Sequence, residues 1–461
     1  MESTAQPATG ASPAREVSES PDCLDLLPDD AVVEVLRHLG DEDLLECRLV
    51  CKRLRDLVML PSVWRHVRVE TPSCLVLCRM PRLASLRVDA IGRCNHLLTT
   101  RCAVRELILF GGDDDAKDSD RKMQIMAVQE SLGQLRRLEL DLDYSDSGPH
   151  VRVAWLQAIA SVSGLEFLEV GVNSALTRGY SLYPAPMASS LKTFWCTAYE
   201  GMDAFVNCIL ATHASTLEDV SAMTWICSFD TARLLGGMPN LRSVSCKILP
   251  GMDALLECGS LRDLEVILDC EWQYDDTDDD EIWGVVELLR RANQLSFLCL
   301  ILETDSEGAI DFLAEMVDAL GSSVRARLEE FRISLDIVSC RLDAHLPVQV
   351  SLLRALPMLP ALRELKVDWE SDELLQGITP KTAPSLRSLT LQLPLMTRLK
   401  AWVLKTSTRK LLLQNSSLHV KATDYMYKNT ASLVSHSLDH CPSVKYHSAE
   451  NTWIYFDRDE N

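Results

Sequence analysis

The pattern Leu-x-x-Leu-x-Leu, or a conservative variant of it, recurs from residue 83 almost to the end of the chain, and no other feature limits the fold as tightly. It reads Leu83/Leu86/Val88, Val104/Leu107/Leu109, Leu135/Leu138/Leu140, Leu165/Leu168/Val170, Leu191/Phe194/Cys196 and Leu217/Val220/Ala222. It continues as Leu241/Val244/Cys246, Leu261/Leu264/Val266, Leu295/Leu298/Leu300, Leu328/Phe331/Ile333, Leu362/Leu365/Val367 and Leu386/Leu389/Leu391. Weaker copies surround Leu411 and Val444. Successive copies lie about 20 to 34 residues apart, a spacing that fits a unit of one strand and one helix. The lead-ins Met80-Pro81-Arg82-Leu83, Met238-Pro239-Asn240-Leu241 and Leu359-Pro360-Ala361-Leu362 hold the same register. Helices are predicted in the gaps, over Trp155 to Val162, Ala204 to Thr212, Ile282 to Asn293 and Ile310 to Leu320. One such unit cannot bury its own apolar face, so the units must stack. The expected fold is α/β: a solenoid over residues 82–450, with a parallel sheet on the concave side, helices outside and about 12 to 14 irregular repeats.

Strand alternation sends the second and third apolar positions of each copy inward and the residues between them to the concave face. The candidate binding residues on that face are Glu139, Asp141, Phe167, Glu169, Trp195, Asp263, Glu265, Phe297, Ile301 and Glu330. Asp269, Trp369 and Glu370 fall just past their strands. Acidic side chains with aromatic anchors among them suit a protein partner, one that presents a basic segment. The net charge of −21 opposes nucleic acid and anionic membrane as partners, because both require a basic footprint. Between Arg262 and Arg290 there is no Lys or Arg, and Asp263 to Glu287 holds eleven acidic residues. The run Asp275-Asp276-Thr277-Asp278-Asp279-Asp280-Glu281 within it reads either as a solvated loop or as a site for a Lys/Arg-rich segment.

The N-terminal part follows different rules. Residues 1–22 are rich in Ala, Ser, Pro, Thr and Glu and are expected to be a disordered tail. Leu27-Pro28-Asp29-Asp30 then opens an apolar-periodic helix through Val32, Val35, Leu36 and Leu39. Pro28 suits the first helical position, and two acids in the first turn suit the helix dipole. Gly40 ends that helix and Asp41 can cap the next, which carries Leu44, Cys47, Val50 and Cys51. Leu54 and Leu57 follow, and the segment closes on Val63-Trp64. Short helices of about 40 residues make a poor core alone, so part of their apolar surface needs a partner. Leu57 and Leu60 are read as packing on the following domain.

Leu27-Pro28, Asp43-Leu44, Val50-Cys51-Lys52-Arg53-Leu54 and Val63-Trp64 stand in the order and at the spacing of an F-box, which this segment resembles. An F-box followed by a connector and repeats resembles the F-box and leucine-rich-repeat family of substrate receptors in SCF ubiquitin ligases. The resemblance implies a three-helix F-box over 23–69, a linker over 70–81, the repeat solenoid, and a C-terminal tail over 451–461. It implies docking on the Skp adaptor, and through it on a cullin scaffold, while the repeats hold a protein for ubiquitination. The residues it assigns to the adaptor contact are Leu27, Pro28, Val32, Val35, Leu36, Leu39, Leu44, Val50, Cys51, Leu54 and Trp64. A leucine-rich-repeat scaffold acting outside ubiquitination is the alternative. A small-molecule co-receptor of this architecture would need a basic cluster for an anionic ligand, which the acidic face opposes.

No motif nominates catalysis: GxGxxG, the Walker loop, GxSxG and HExxH are all missing from the sequence. The 16 cysteines form no Cys-x-x-Cys pair, and several fall at core-like positions such as Cys196, Cys246 and Cys299. Free thiols in a reducing compartment, cytoplasm or nucleus, are the expectation. His436, His440, Cys441 and His447 lack a matched second ligand pair for zinc. The protein is expected to be a non-enzyme without cofactor or metal.

Overall fold

The computed structural model describes residues 26–424 apart from 71–73, 90–94, 111–115, 143–148, 173–181, 183–187, 199–200, 224–227, 270–278, 305, 323, 336–344, 394–401, 403–404 and 416–417, together with 430–434, 445–447 and 453–455. The repeat pattern becomes one sheet in sequence order. Its strands are β1 (Arg68–Val69), β2 (Arg82–Val88), β3 (Ala103–Phe110), β4 (Arg137–Leu142), β5 (Phe167–Val172), β6 (Thr193–Ala198) and β7 (Asp219–Met223). Then come β8 (Ser243–Lys247), β9 (Asp263–Leu268), β10 (Phe297–Leu302), β11 (Glu330–Leu335), β12 (Glu364–Val367), β13 (Ser388–Leu393) and β14 (His419–Asp424). All fourteen pair parallel, each with the next.

Register is held before each strand begins. The residue after the first leucine of each copy donates its N–H to the matching carbonyl one repeat earlier. The chain of bonds runs Arg136 to Arg105 (2.8 Å), Glu166 to Arg136 (2.8 Å), Lys192 to Glu166 (2.9 Å) and onward to His419 bonding Arg387 (2.7 Å). This is a backbone ladder along the strand-entry edge, so the proline and leucine lead-ins are its punctuation.

The inward leucines pack under an outer layer of helices. Leu138, Leu168, Phe194, Val220, Leu264, Leu298, Phe331, Leu365 and Leu389 are all buried in one continuous core. The predicted helices are found at Pro149–Ile159, Asp203–His213, Asp279–Arg291 and Glu307–Leu320. Arg325, almost wholly buried, ties two of them: it donates to the carbonyls of Leu289, Arg290 and Leu320 and to Asn293 Oδ1. Those carbonyls have no partner within their own helices, so one cation satisfies two helix ends. Gly236 lets a helix end approach its neighbour, since a Cβ there would sit 2.3 Å from the Ala254 carbonyl oxygen.

The N-terminal helices are α1 (Asp29–Leu36), α2 (Asp41–Val50), α3 (Lys52–Val58) and α4 (Pro61–Trp64). Pro28 occupies the cap position rather than the first turn, and Gly40 rather than Asp41 caps α2. Arg53 on α3 pins the entry to α1 by bonding both the Asp29 carboxylate (2.7 Å) and the Leu27 carbonyl. Trp64 is fully buried, with its indole N–H on the Val58 carbonyl (2.6 Å).

Four expectations need correction. The 70–81 segment is not a plain linker: Cys74–Arg79 forms helix α5, and Val76, Leu77 and Met80 are buried. The sheet begins earlier, at β1, within the segment read as F-box, because Val67 and Val69 face the core. Leu411 lies in a helix, Thr406–Gln414, and the repeat strand comes after it, with Leu418, Val420 and Ala422 buried. Val444 itself lies outside the described residues, but strands Thr430–Val434, Lys445–His447 and Trp453–Tyr455 extend the sheet antiparallel beyond β14, the last of them inside the supposed tail.

Candidate protein-interaction surfaces

The helical domain divides the expected contact residues into two sets. Val32, Leu36, Leu44, Leu54 and Trp64 are buried and hold the helices together, while Leu39 is half-buried. Leu27 (43% exposed), Pro28, Val35 (59%), Val50 (67%) and Cys51 lie on the outside. Leu26 (71%) and Leu49 (82%) join them, and sequence reasoning missed both. The signal was available for Leu49: it stands off the Leu44/Cys47/Cys51 stripe of its helix, so a large apolar residue there has no core to face. The domain thus presents apolar side chains at its N-terminal lip, on α1 and at the end of α2.

The second surface is the face of the sheet opposite the helices. All ten candidate residues lie on it, and the register sorts them into rows running across the strands. One row passes Arg137, Phe167, Thr193, Asp219, Ser243, Asp263, Phe297, Glu330 and Glu364. The next passes Glu139, Glu169, Trp195, Ser221, Ser245, Glu265, Cys299, Arg332 and Lys366. Asp141 and Ile301 stand in a third.

Neighbours on adjacent strands cover much of this face. Arg137 bonds Glu106 (2.9 Å) and Glu139 (2.5 Å) and lies 3.4 Å above the Phe167 ring. Arg332 repeats the arrangement, paired with Glu330 and 5.0 Å from the Phe297 ring. The two phenylalanines are therefore half-covered by the protein's own arginines, through cation–π contacts. Trp195 remains the open anchor: it meets Phe167 edge-on at 5.3 Å, donates to Asp219 (3.4 Å) and is 39% exposed.

The charge is arranged in zones. Burial pushes the Asp219 carboxyl above its ordinary range and nearby Asp263 adds to this, while hydrogen bonds from Trp195 and Ser243 oppose both. Burial also raises Glu169, helped by Glu139 and opposed by Arg137. Glu265 accepts from Ser245 (2.6 Å). Past β10 bases join the acids, with Arg332, Lys366 and Lys421 in register on β11, β12 and β14. Acids stand on the face at both ends as well, Glu139 and Glu169 on one side and Glu330 and Glu364 on the other, but there arginine or lysine shares the two rows with them. Asp219, Asp263 and Glu265, by contrast, have no basic residue in those rows on β7–β9. Cys299, read as a core thiol, stands on this open face between Glu265 and Arg332; its neighbours bury it, and that burial pushes the thiol up to about 12.

Asp269, Trp369 and Glu370 are buried instead of projecting. Asp269 pairs with Lys247, and Lys405 takes the Glu370 carboxylate at 3.1 Å. Of the acidic run 275–281, residues 275–278 lie outside the described residues, as do His436, His440 and Cys441, while 279–281 open the helix Asp279–Arg291. Among the described residues no cluster of three His, Cys, Asp or Glu is placed to hold a metal, and no helix is long and apolar enough to cross a membrane.

Residues 24–70 match the family model for the F-box-like domain. A search of curated proteins finds no match. Among 44 solved chains that match, an internalin from Listeria monocytogenes is 12% identical, with 76% of this chain and 88% of that one covered and a TM-score of 0.30. That score does not bear on the fold, which the strand register establishes by itself. The chain is an F-box-like domain followed by a leucine-rich-repeat sheet, the build of a protein-interaction adaptor. F-box domains generally bind Skp-type adaptors, and both modules are generally non-catalytic.

Proposed function

We propose that this protein is the substrate-recognition subunit of an SCF-type ubiquitin ligase, working in the cytoplasm or nucleus. The observation that carries the proposal is the exposed apolar set on the F-box-like domain: Leu26, Leu27, Val35, Leu49 and Val50. Those side chains dock on the Skp adaptor, which hangs from a cullin. The middle of the open sheet face, around Trp195, Asp219, Asp263 and Glu265, holds a protein with a basic segment. No catalytic group is needed, because tethering raises the effective concentration of the bound protein near the ubiquitin-charged enzyme.

Co-purification tests the docking half. Leu49→Glu with Val35→Glu places charge on exposed positions, so the chain folds as before while the adaptor and cullin are lost from the pull-down. Leu27→Ala with Pro28→Ala acts in the same direction at the lip. Retention of the adaptor by both folded variants sinks the assignment. For the other half, Asp263→Asn with Glu265→Gln weakens an identified substrate, and raised salt does the same, because exposed charge is screened over about 8 Å at physiological ionic strength.

A further inference from the structure

Where the helical domain meets the array, five arginines and four glutamates line a cavity of about 770 Å³. Most of these charges already answer one another. Arg137 takes Glu106 and Glu139, Arg136 lies 3.9 Å from Glu166, and Arg87 pairs outward with Asp89 at 2.8 Å. Arg68, Arg105 and Glu70 remain: all three are exposed, and none makes a side-chain bond or ion pair among the described residues. Between the strands of the two arginines stands Ser85, in register with Arg68 on one side and Glu106 on the other. Its side chain lines the cavity and is only 3% exposed, yet its hydroxyl has no hydrogen-bond partner among the described residues. The hydroxyl is not sealed off but opens on the cavity, where an entering acceptor can take its hydrogen bond.

Two free guanidiniums and one free hydroxyl outnumber the single free carboxylate, Glu70, so the cavity keeps an excess of donors. Guanidinium matches carboxylate by two parallel hydrogen bonds. The cavity is far larger than a simple anion requires and lies in the range that takes a whole ligand segment. It also continues into the open face, since Glu139 and Phe167 belong to both. We propose that this cavity takes the carboxylate side chains of an acidic segment of the protein docked on the open face. The inference rests on reading that face as a docking surface. It adds a sign rule to it: acid on the partner at β1–β3, base on the partner at β7–β9. Adjacent strands stand about 4.8 Å apart, so the two contacts, from β2 to β9, are about 34 Å apart along the sheet.

The test uses the full chain and fluorescence anisotropy of a labelled peptide alternating Glu and Gly, with a Gln-for-Glu peptide as control. The Glu peptide binds, more weakly as salt rises, and the Gln peptide does not. Arg68→Ala with Arg105→Ala lowers affinity by at least about tenfold, the effect expected for charge-assisted contacts. Ser85→Ala lowers it by about threefold, as for one neutral hydrogen bond. Thermal melts of the variants match the parent, because both arginines are exposed. Equal binding of the two peptides overturns the proposal, and so does a double variant that binds like the parent. Displacement of nothing but bound inorganic phosphate, with no affinity for the Glu peptide, assigns the cavity to a small anion and also overturns it. Adaptor co-purification is followed on the same variants and stays intact. A failure of the F-box reading therefore registers separately.

Discussion

The helical domain and the repeat sheet solve the same packing problem in opposite ways. Of the twelve large apolar side chains exposed among the described residues, six fall between Leu26 and Leu60, and the other six are spread from Trp195 to Leu413. Each repeat covers its leucines with the next repeat and with its own helix. The helical domain has no next copy to cover Leu49 or Val50, and it turns only one side onto the array. That side is continuous with the array: Val58, Val63 and Trp64 belong to the same buried cluster as Leu83 and Leu86. A stacked repeat is saturated by its own kind, whereas a single small module bonded to one end of a solenoid stays unsaturated on its far side. The difference assigns the partner-dependent contact to the module and leaves the array to present polar and charged groups.

The largest expected effects come from charging the saturated core. Leu298→Asp or Leu365→Asp places a carboxylate where the side chain is fully buried between strands, a cost of several kcal/mol, on the order of the 3–5 kcal/mol of an uncompensated buried charge. Limited proteolysis is expected to cut near the lesion while the adaptor still co-purifies, since repeat stability is a sum of neighbour terms. Loss of both together would mean the module and the array unfold as one unit, and the comparison would fail.

On the unsaturated side the same kind of substitution changes binding and leaves folding alone. Leu49→Glu is expected to cost on the order of 2 kcal/mol or more of adaptor affinity, as for an interface anchor, with an unchanged melting temperature. An isothermal titration with the purified adaptor, set beside a thermal melt, separates the two quantities. A drop in melting temperature without loss of affinity would make Leu49 a packing residue.

How much of this was legible in the sequence differs between the same two regions. The array was legible because alternation and period act locally: each copy announces its own strand, and twelve strands stand where the pattern put them. β1 escaped because two residues show no alternation. β14 escaped because Leu418/Val420/Ala422 is one residue shorter than the repeat spacing, while the helix before it offered the heavier leucines. In the helical domain the strongest apolar stripe was assigned to the partner, and the structure places Val32, Leu36 and Leu44 of that stripe in the core. Periodicity finds an apolar face and says nothing about what covers it. On the open face, the identity of the exposed residues followed from alternation. The capping of Phe167 by Arg137 and of Phe297 by Arg332 did not, because the partners come from strands about 30 residues apart.

A medium effect probes how closely the array is saturated. Gly236→Ala would drive a Cβ against the Ala254 carbonyl oxygen and carbon, at 2.3 and 2.9 Å, and backbone cannot swing aside as a side chain can. Overpacking of this kind costs about 1–3 kcal/mol. The measurement is the urea midpoint at unchanged m-value. Gly40→Ala, with nothing within 4 Å of the added atom, is the matched change in the helical domain and is expected to shift the midpoint far less.

The smallest expected effect is a pH dependence confined to the array. His213 is buried, and its Nδ1 faces the backbone N–H groups of Ser190 (3.3 Å) and Leu191 (3.4 Å). Nδ1 must therefore be an acceptor, and burial lowers the imidazole from its ordinary value of 6.5. Below that value the unfolded chain binds a proton that the fold resists. The stabilising contribution is full above the unfolded pKa and declines as pH falls through it toward the lowered folded value. One group sets a ceiling of about 1.4 kcal/mol per pH unit on this slope. Urea midpoints taken between pH 7 and pH 5 are expected to fall for the parent and to fall less for His213→Gln, which keeps an acceptor oxygen and does not titrate. Over the same interval adaptor affinity of the two proteins should run in parallel, because His213 lies in the array's core and not on the helical module. Identical stability slopes for parent and variant would show that His213 carries none of the pH dependence. Divergent adaptor affinities would show that the module senses the state of the array, which its separate exposed surface gives no reason to expect.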